Sequence, residues 1–212
     1  MKSLVLKDLY NIGHNVRYML LLLVIFAVAF IPTSGVTEYM FICAAMCSMM
    51  VVTTFSFDEQ SRWARYAMIM PVAGKDLVRG KFIVSAVFCG AGSIAGLLIG
   101  TIGGLLTGQI ALDGEGITGL MYTVFMAWMG SMVYGGMTIP VAFQFGAERS
   151  RMILVLVVIP LAFIFGVYQI YSAQGMEVAG SFFHAWYLPV IVLVWIYGMY
   201  RISCRIFLRQ EL

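Results

Sequence analysis

Residues 82–106 read FIVSAVFCGAGSIAGLLIGTIGGLL, and this stretch decides the fold class of the chain. It carries no charged side chain, and it is long enough to cross a bilayer as a helix, which takes about 20 mostly apolar residues. Its glycines recur every four residues, at Gly92, Gly96, Gly100 and Gly104, and just beyond the stretch at Gly108. On a helix with about 3.6 residues per turn, this repeat keeps small residues on one face, where another helix can approach closely. The stretch predicts a packed membrane helix, and we favour a neighbour in the same chain over one in a second protomer.

The composition of the whole chain agrees with this prediction. Of its 212 residues, 62% are hydrophobic and 11% are charged, and the mean hydropathy is +0.95. Soluble globular domains are typically about 45–50% apolar and about 25% charged. These values exclude a disordered chain and an ordinary soluble enzyme. The four cysteines form no C-x-x-C pair, so we expect free thiols.

Six apolar runs occur along the chain. They cover residues 18–36, 40–57, 82–106, 120–145, 152–171 and 187–200. The membrane core tolerates only helices or closed barrels, and these runs lack the alternation of barrel strands. We therefore predict an all-α integral membrane protein in which residues 1–212 form a single domain of six transmembrane helices. Pro140 and Pro160 fall inside spans and should kink them.

The basic residues orient these spans. All 13 Lys and Arg residues precede the first span, lie in the second or fourth connection, or follow the sixth span. The other connections carry only acidic residues among their charges. By the positive-inside rule, both termini are cytoplasmic. A cleaved signal peptide is the alternative for the first run, but Asp8 and the apolar sequence after the A-x-A site at 27–29 favour an uncleaved span.

Residues 1–17 have a pattern of their own. Apolar residues recur at helical spacing, at Val5, Leu9, Ile12 and Val16. The pattern predicts an amphipathic elbow helix that lies in the inner membrane surface before the first span. The alternative is a charged segment that only sets the topology.

The cytoplasmic connection between spans 2 and 3, residues 58–81, is the most distinctive. Ser56 and Glu59 have the spacing of a capping box at the start of a helix. Trp63, Ala67 and Met70 would form its apolar stripe, opposite a charged face. Such a helix can dock a soluble partner, or it can simply connect two spans at the interface. On the outer side, the aromatic residues of segment 172–186 indicate an interfacial belt or a re-entrant turn.

Features of common membrane chemistries are missing from the sequence. The spans contain almost no ionisable side chains, which argues against proton-coupled transport and voltage sensing. His14 and His184 are predicted on opposite sides of the membrane, so they cannot share a metal. The segment from Gly74 to Lys81 has the wrong glycine spacing for a phosphate loop, and Phe82 stands where Ser or Thr is required. We predict no catalytic residue, metal or cofactor in this chain.

Three short segments resemble a known family. Residues 58–66 read DEQSRWARY, residues 70–72 MPV and residues 75–81 KDLVRGK. Together they resemble the cytoplasmic loop of small bacterial type-2 ABC exporter permeases, and KDLY at residues 7–10 is similar too. The likeness extends over the whole chain in its layout of elbow, six spans, coupling loop and outer segment.

The resemblance implies a permease of the bacterial inner membrane that forms a homodimer or heterodimer. Each half would dock through a coupling helix onto a separate ATP-hydrolysing subunit, which binds the ATP and Mg. The implied coupling residues are Asp58, Glu59, Arg62, Trp63, Arg65 and Tyr66, and Glu148 and Arg149 would form a second, smaller contact. Cargo in this family includes peptides, amphipathic toxins, lipids and drugs, and the apolar spans favour an amphipathic or apolar cargo. The competing hypothesis is a non-transporting immunity or sensor-assembly subunit that uses the same loop as a binding platform.

Overall fold

A computed structural model describes residues 2–61, 74–109, 114–173 and 188–210. Five helices occupy these ranges: α1 (Lys2–Ser34), α2 (Val36–Gln60), α3 (Gly74–Leu106), α4 (Gly114–Ala173) and α5 (Leu188–Gln210). No strand occurs in them, so the predicted all-α fold is confirmed for the described part of the chain.

Five stretches of these helices are long and apolar enough to cross a membrane: Val16–Ser34, Val36–Gln60, Asp76–Leu106, Gly119–Ile153 and Pro189–Phe207. They correspond to the first four predicted spans and to the sixth. The remaining prediction, residues 152–171, coincides with the second part of α4, whose backbone is helical to Ala173. Most side chains of that part lie outside the described residues. The chain is a multi-pass membrane protein, and the sixth span stays a prediction.

The long helix α4 is broken at Gly146. There the backbone adopts φ 81° and ψ 170°, which is not helical. Residues with a side chain strongly disfavour this combination of φ and ψ, whereas glycine tolerates it because it has no Cβ. One helix therefore ends at Phe145 and another begins at Ala147. The break falls directly after the predicted fourth span, which ends at residue 145, and not at Pro140 or Pro160.

The N-terminal segment differs from the predicted elbow. Helix α1 continues without interruption from Lys2 to Ser34, so a separate amphipathic helix ending near residue 17 is not confirmed. Most of its apolar stripe packs within the bundle, whereas Val16 is exposed. Ile12 is fully buried, and Val5 and Leu9 pack against the same core cluster of the bundle. The buried positions of the stripe follow from the packing of α1 against α2 and α3.

Helix α2 lies at the centre of the bundle and contributes to two apolar clusters. The first comprises Ile12, Val51, Val52, Phe55, Val84, Phe88, Ile139, Ala142 and Ala147. The second, near the start of α2, comprises Leu23, Ala27, Ile31, Val36, Tyr39, Met40, Cys43 and Cys47. The Tyr39 hydroxyl donates to the Leu23 carbonyl at 3.0 Å, which satisfies a buried polar group. The four cysteines are free thiols, as predicted.

The glycine face of α3 packs against α2 of the same chain. A methyl group added at Gly92 would collide with Cβ of Cys47. One added at Gly96 would lie 3.1 Å from Cβ of Cys43, and one at Gly100 would lie 3.2 Å from Cγ1 of Val36. The two helices can therefore approach closely only because these positions lack side chains.

The last two glycines of the repeat have other surroundings. Gly104 is buried in α3, where its carbonyl accepts the Gln109 N–H at 2.9 Å. Gly108 lies beyond the end of α3 with φ 67° and open space around it. Its left-handed conformation is typical of the glycine that follows a helix. The prediction that Gly108 belongs to the packing groove is wrong.

Candidate functional site

Four charged side chains meet where the start of α1, the end of α2 and the start of α3 converge. Lys7 Nζ lies 2.6 Å from Asp58 Oδ1 and 3.5 Å from Asp8 Oδ1. Lys81 Nζ lies 2.6 Å from Asp58 Oδ2 and 2.9 Å from Asp8 Oδ2. We call these four residues the ion cluster. Its two positive and two negative charges balance, and it ties three helices together at one end of the bundle.

Lys81 is the most deeply placed member, with only 5% of its side chain exposed. Its ammonium group also donates to Thr54 Oγ1 at 3.0 Å, so its three N–H donors have three acceptors. The same group lies 4.8 Å from the centroid of the Phe55 ring, which favours a cation further. A buried charge is tolerated when it is paired and hydrogen-bonded in this way.

The ion cluster determines helix positions more than it adds net stability. The desolvation of buried charges offsets much of their mutual attraction, whereas removal of one partner typically costs about 3–5 kcal/mol. Any arrangement of α1, α2 and α3 that separates Lys81 from Asp8 and Asp58 would leave buried charge uncompensated. The cluster therefore penalises alternative arrangements of these helix ends.

A second contact joins α2 to the break in α4. Glu59 Oε1 accepts the backbone N–H of Ala147 at 2.7 Å. Ala147 is the first residue after the break, and the first turn of a helix presents unpaired N–H groups and a partial positive charge. A carboxylate accepts a hydrogen bond from such an N–H group, and its negative charge interacts favourably with the partial positive charge. A methyl group added at Gly146 would lie 2.9 Å from the same Glu59 oxygen, so glycine also permits this close approach.

A side-chain contact lies beside this cap. Arg151 Nη2 is 3.4 Å from Ser56 Oγ, at the limit of a hydrogen bond. Ser56 lies one turn before Glu59 on α2, and Arg151 lies one turn after Ala147. The last turn of α2 and the first turn of the helix that begins at Ala147 are therefore joined by two contacts, Glu59–Ala147 and Ser56–Arg151.

These contacts correct the prediction of a capping box. Ser56 and Glu59 lie inside α2, which continues to Gln60, so they do not begin a helix. Glu59 does cap a helix N-terminus, but that terminus lies 88 residues further along the chain. Asp58 pairs with Lys7 and Lys81.

The predicted coupling residues have different surroundings. Asp58 uses both carboxylate oxygens within the ion cluster, so it does not lie on an open charged face. Glu59 is exposed, but one of its carboxylate oxygens caps the helix that begins at Ala147. Glu148 and Arg149 are exposed in the first turn of that helix. Four predicted coupling residues lie outside the described residues: Arg62, Trp63, Arg65 and Tyr66.

Sequence reasoning missed Lys7, Asp8 and Lys81 as functional candidates. It used the two lysines as topology signals, Asp8 against a signal peptide, and all three residues only as letters of the segments KDLY and KDLVRGK that carry the family resemblance. A signal did exist, since an aspartate stands within the apolar pattern of residues 1–17 and a lysine directly precedes the apolar run from Phe82. In the ranges that the structure describes, no group of three His, Cys, Asp or Glu residues could hold a metal ion.

The comparison with protein families identifies the molecule. Residues 3–208 match the model of a family described as ABC-2 family transporter protein. The chain belongs to this family. The match covers both the ion cluster and the break at Gly146, so these features lie within the body of an ABC-2 permease. No curated protein and no solved structure matches this ABC-2 permease.

Proposed function

We propose that this ABC-2 permease is the membrane subunit of an ATP-driven exporter whose energy comes from a separate ATP-hydrolysing subunit. The observation that carries the proposal is the family match over residues 3–208, which supports a transport role for nearly the whole chain. ATP and Mg would bind to the partner subunit. This chain would supply the pathway and the surface on which the partner acts.

The ion cluster supports a mechanical role for the connection between α2 and α3. Asp58 stands shortly before this connection and Lys81 shortly after it, and their side chains are in direct contact. A segment whose two ends are held together moves with the helices that hold it. Force applied to residues 62–73 would therefore reach α1, α2 and α3 together. The predicted contacts from Arg62, Trp63, Arg65 and Tyr66 would extend from this anchored base.

The remaining parts of the proposal follow from the sequence pattern and the resemblance. Both termini and the ion cluster would lie on the cytoplasmic side of a bacterial inner membrane, because all basic residues fall on that side of a six-span arrangement. A second permease protomer would complete the pathway. An amphipathic or apolar cargo suits spans with few charges.

Binding of the partner tests this proposal. The permease in nanodiscs is mixed with a candidate nucleotide-binding ATPase subunit, and the dissociation constant is measured. Arg149→Glu should weaken binding about tenfold or more, because like charges opposed at an interface cost several kcal/mol. Arg205→Glu makes the same charge change at another exposed arginine, on α5, and should alter binding by less than about twofold.

Export assays with vesicles decide between the two candidate functions. An exporter should couple ATP hydrolysis by the bound partner to outward movement of an amphipathic probe. A permease that binds no nucleotide-binding subunit, or binds one without any ATP-dependent transport, would contradict the proposal. That result would favour the alternative of a non-transporting immunity or sensor-assembly subunit.

A further inference from the structure

We propose that Glu59 is a positioning residue that joins the end of α2 to the helix that begins at Ala147, so that the helix ends next to the two predicted ATPase contacts move together. The first contact is the segment that follows α2, and the second is the exposed pair Glu148–Arg149. The assignment of these contacts to an ATPase rests on the proposed function. The joint between them does not depend on that assignment.

The two ends of the joint are far apart along the chain. Glu59 is the penultimate residue of α2, and Ala147 directly precedes Glu148. A single hydrogen bond of 2.7 Å therefore links two segments that are otherwise separated by 88 residues of chain. Beside this bond, the two segments are joined by the Ser56–Arg151 contact and by the core cluster that includes Phe55 and Ala147.

The geometry at Gly146 also supports the joint. A helix that restarts after a non-helical residue has no preceding turn to accept its first N–H groups. Glu59 supplies an acceptor there, and the absence of a Cβ at Gly146 lets the carboxylate approach. The backbone conformation at Gly146 and the Glu59 cap thus form one arrangement. The contact between Ser56 and Arg151 supports it one turn away.

The end of α2 is also held from a second direction. Asp58, the residue before Glu59, is bound by Lys7 and Lys81. Adjacent residues thus tie the same turn of α2 to α1 and α3 on one side and to the second part of α4 on the other. A displacement of the segment after α2 would be passed through Glu59 to the helix that begins at Ala147.

Distance measurements between spin labels test the joint directly. Labels are placed at Ser61 and Arg149, which are both exposed, in a nanodisc-embedded permease whose four cysteines are replaced by alanine. Glu59→Ala should broaden the distance distribution at least about twofold. Glu59→Gln keeps an acceptor oxygen and should restore most of the original width. Gln60→Ala, at the exposed neighbouring position, is the control and should leave the width unchanged.

A second variant removes the other partner of the bond. Ala147→Pro deletes the donor N–H, and proline is well suited to the first position of a helix. Gly146 has ψ 170°, which is close to the extended backbone that a residue before proline prefers. This variant should broaden the distribution as Glu59→Ala does, and combining the two should add little. If Glu59→Ala fails to fold, Ala147→Pro carries the test.

The functional readout is the amount of cargo exported per ATP hydrolysed. In Ala147→Pro, which leaves every predicted ATPase-contact side chain in place, the ATPase subunit should still bind and hydrolyse ATP, while export per ATP falls at least about threefold. Unchanged distances in both Glu59→Ala and Ala147→Pro would overturn the joint, as would broadened distances with unchanged export per ATP. If the distance distribution between the labels broadens as expected but the unaltered permease binds no ATPase, the joint stands and the proposed function fails.

Discussion

Lys81 Nζ lies 2.6 Å from Asp58 Oδ2, so the early part of α3 is tied to the end of α2 across the segment that connects them. The same ammonium group reaches Asp8 of α1 at 2.9 Å. One buried lysine thus holds three helix ends in a common position. In the proposed function, this is the region on which the ATPase subunit acts.

We expect Lys81→Met to destabilise the fold by about 3–5 kcal/mol, because it leaves buried carboxylates without their main partner. Thermal unfolding in detergent, followed by the loss of monodisperse protein, measures this effect. Arg79→Met is the matched control, since Arg79 is exposed on the same turn of α3 and its replacement should change stability by about 0.5 kcal/mol or less. Equal stability of the two variants would show that the ion cluster does not hold the helices.

Gly92→Ala should lower stability by about 1–3 kcal/mol through overpacking, because its methyl group would collide with Cys47 across the α2–α3 interface. Gly90 lies two residues earlier on the same helix, with nothing within 4 Å of an added Cβ. Gly90→Ala should be neutral or stabilising by up to about 1 kcal/mol, since alanine is the better helix former. The comparison uses one assay, chemical unfolding in detergent. A Gly92→Ala variant as stable as Gly90→Ala would contradict close packing at this position.

Gly146→Ala should cost about 1–3 kcal/mol, because its backbone conformation is essentially restricted to glycine. The added methyl group would also crowd the Glu59 carboxylate at 2.9 Å. Gly136→Ala on the same helix is the control, since its Cβ would meet Ile196 at an ordinary 3.8 Å. Thermal unfolding compares the two. If Gly146→Ala unfolds at the same temperature as Gly136→Ala, the break in α4 does not exist in the membrane.

The membrane orientation can be checked by thiol labelling in whole cells. A single cysteine at Glu38 should react with a membrane-impermeant reagent, whereas one at Arg149 should react only after permeabilisation. The expectation follows from the distribution of basic residues along the chain. Labelling of Arg149→Cys from outside the cell would contradict both the six-span arrangement and a cytoplasmic partner at this surface.

The sequence alone determined that the chain is helical, that it crosses the membrane several times and that α3 has a face suited to close packing. These properties depend on the character and spacing of residues within one segment, as in the uncharged run 82–106 with its glycines. Membrane hydropathy and helical periodicity are local, so they can be recognised without knowing which helices are neighbours.

Only the tertiary structure decided which groups are partners. Ser56 and Glu59 have the spacing of a local capping box, yet Glu59 caps a helix that begins at Ala147. Lys81 carries the local signal of a charge flanking a span, yet it lies buried between Asp8 and Asp58. The physical reason is that a charge or an unpaired N–H group can be satisfied by any complementary group nearby. Which group is nearby depends on how the helix ends come together in the bundle, and residue spacing within one segment carries no information about that.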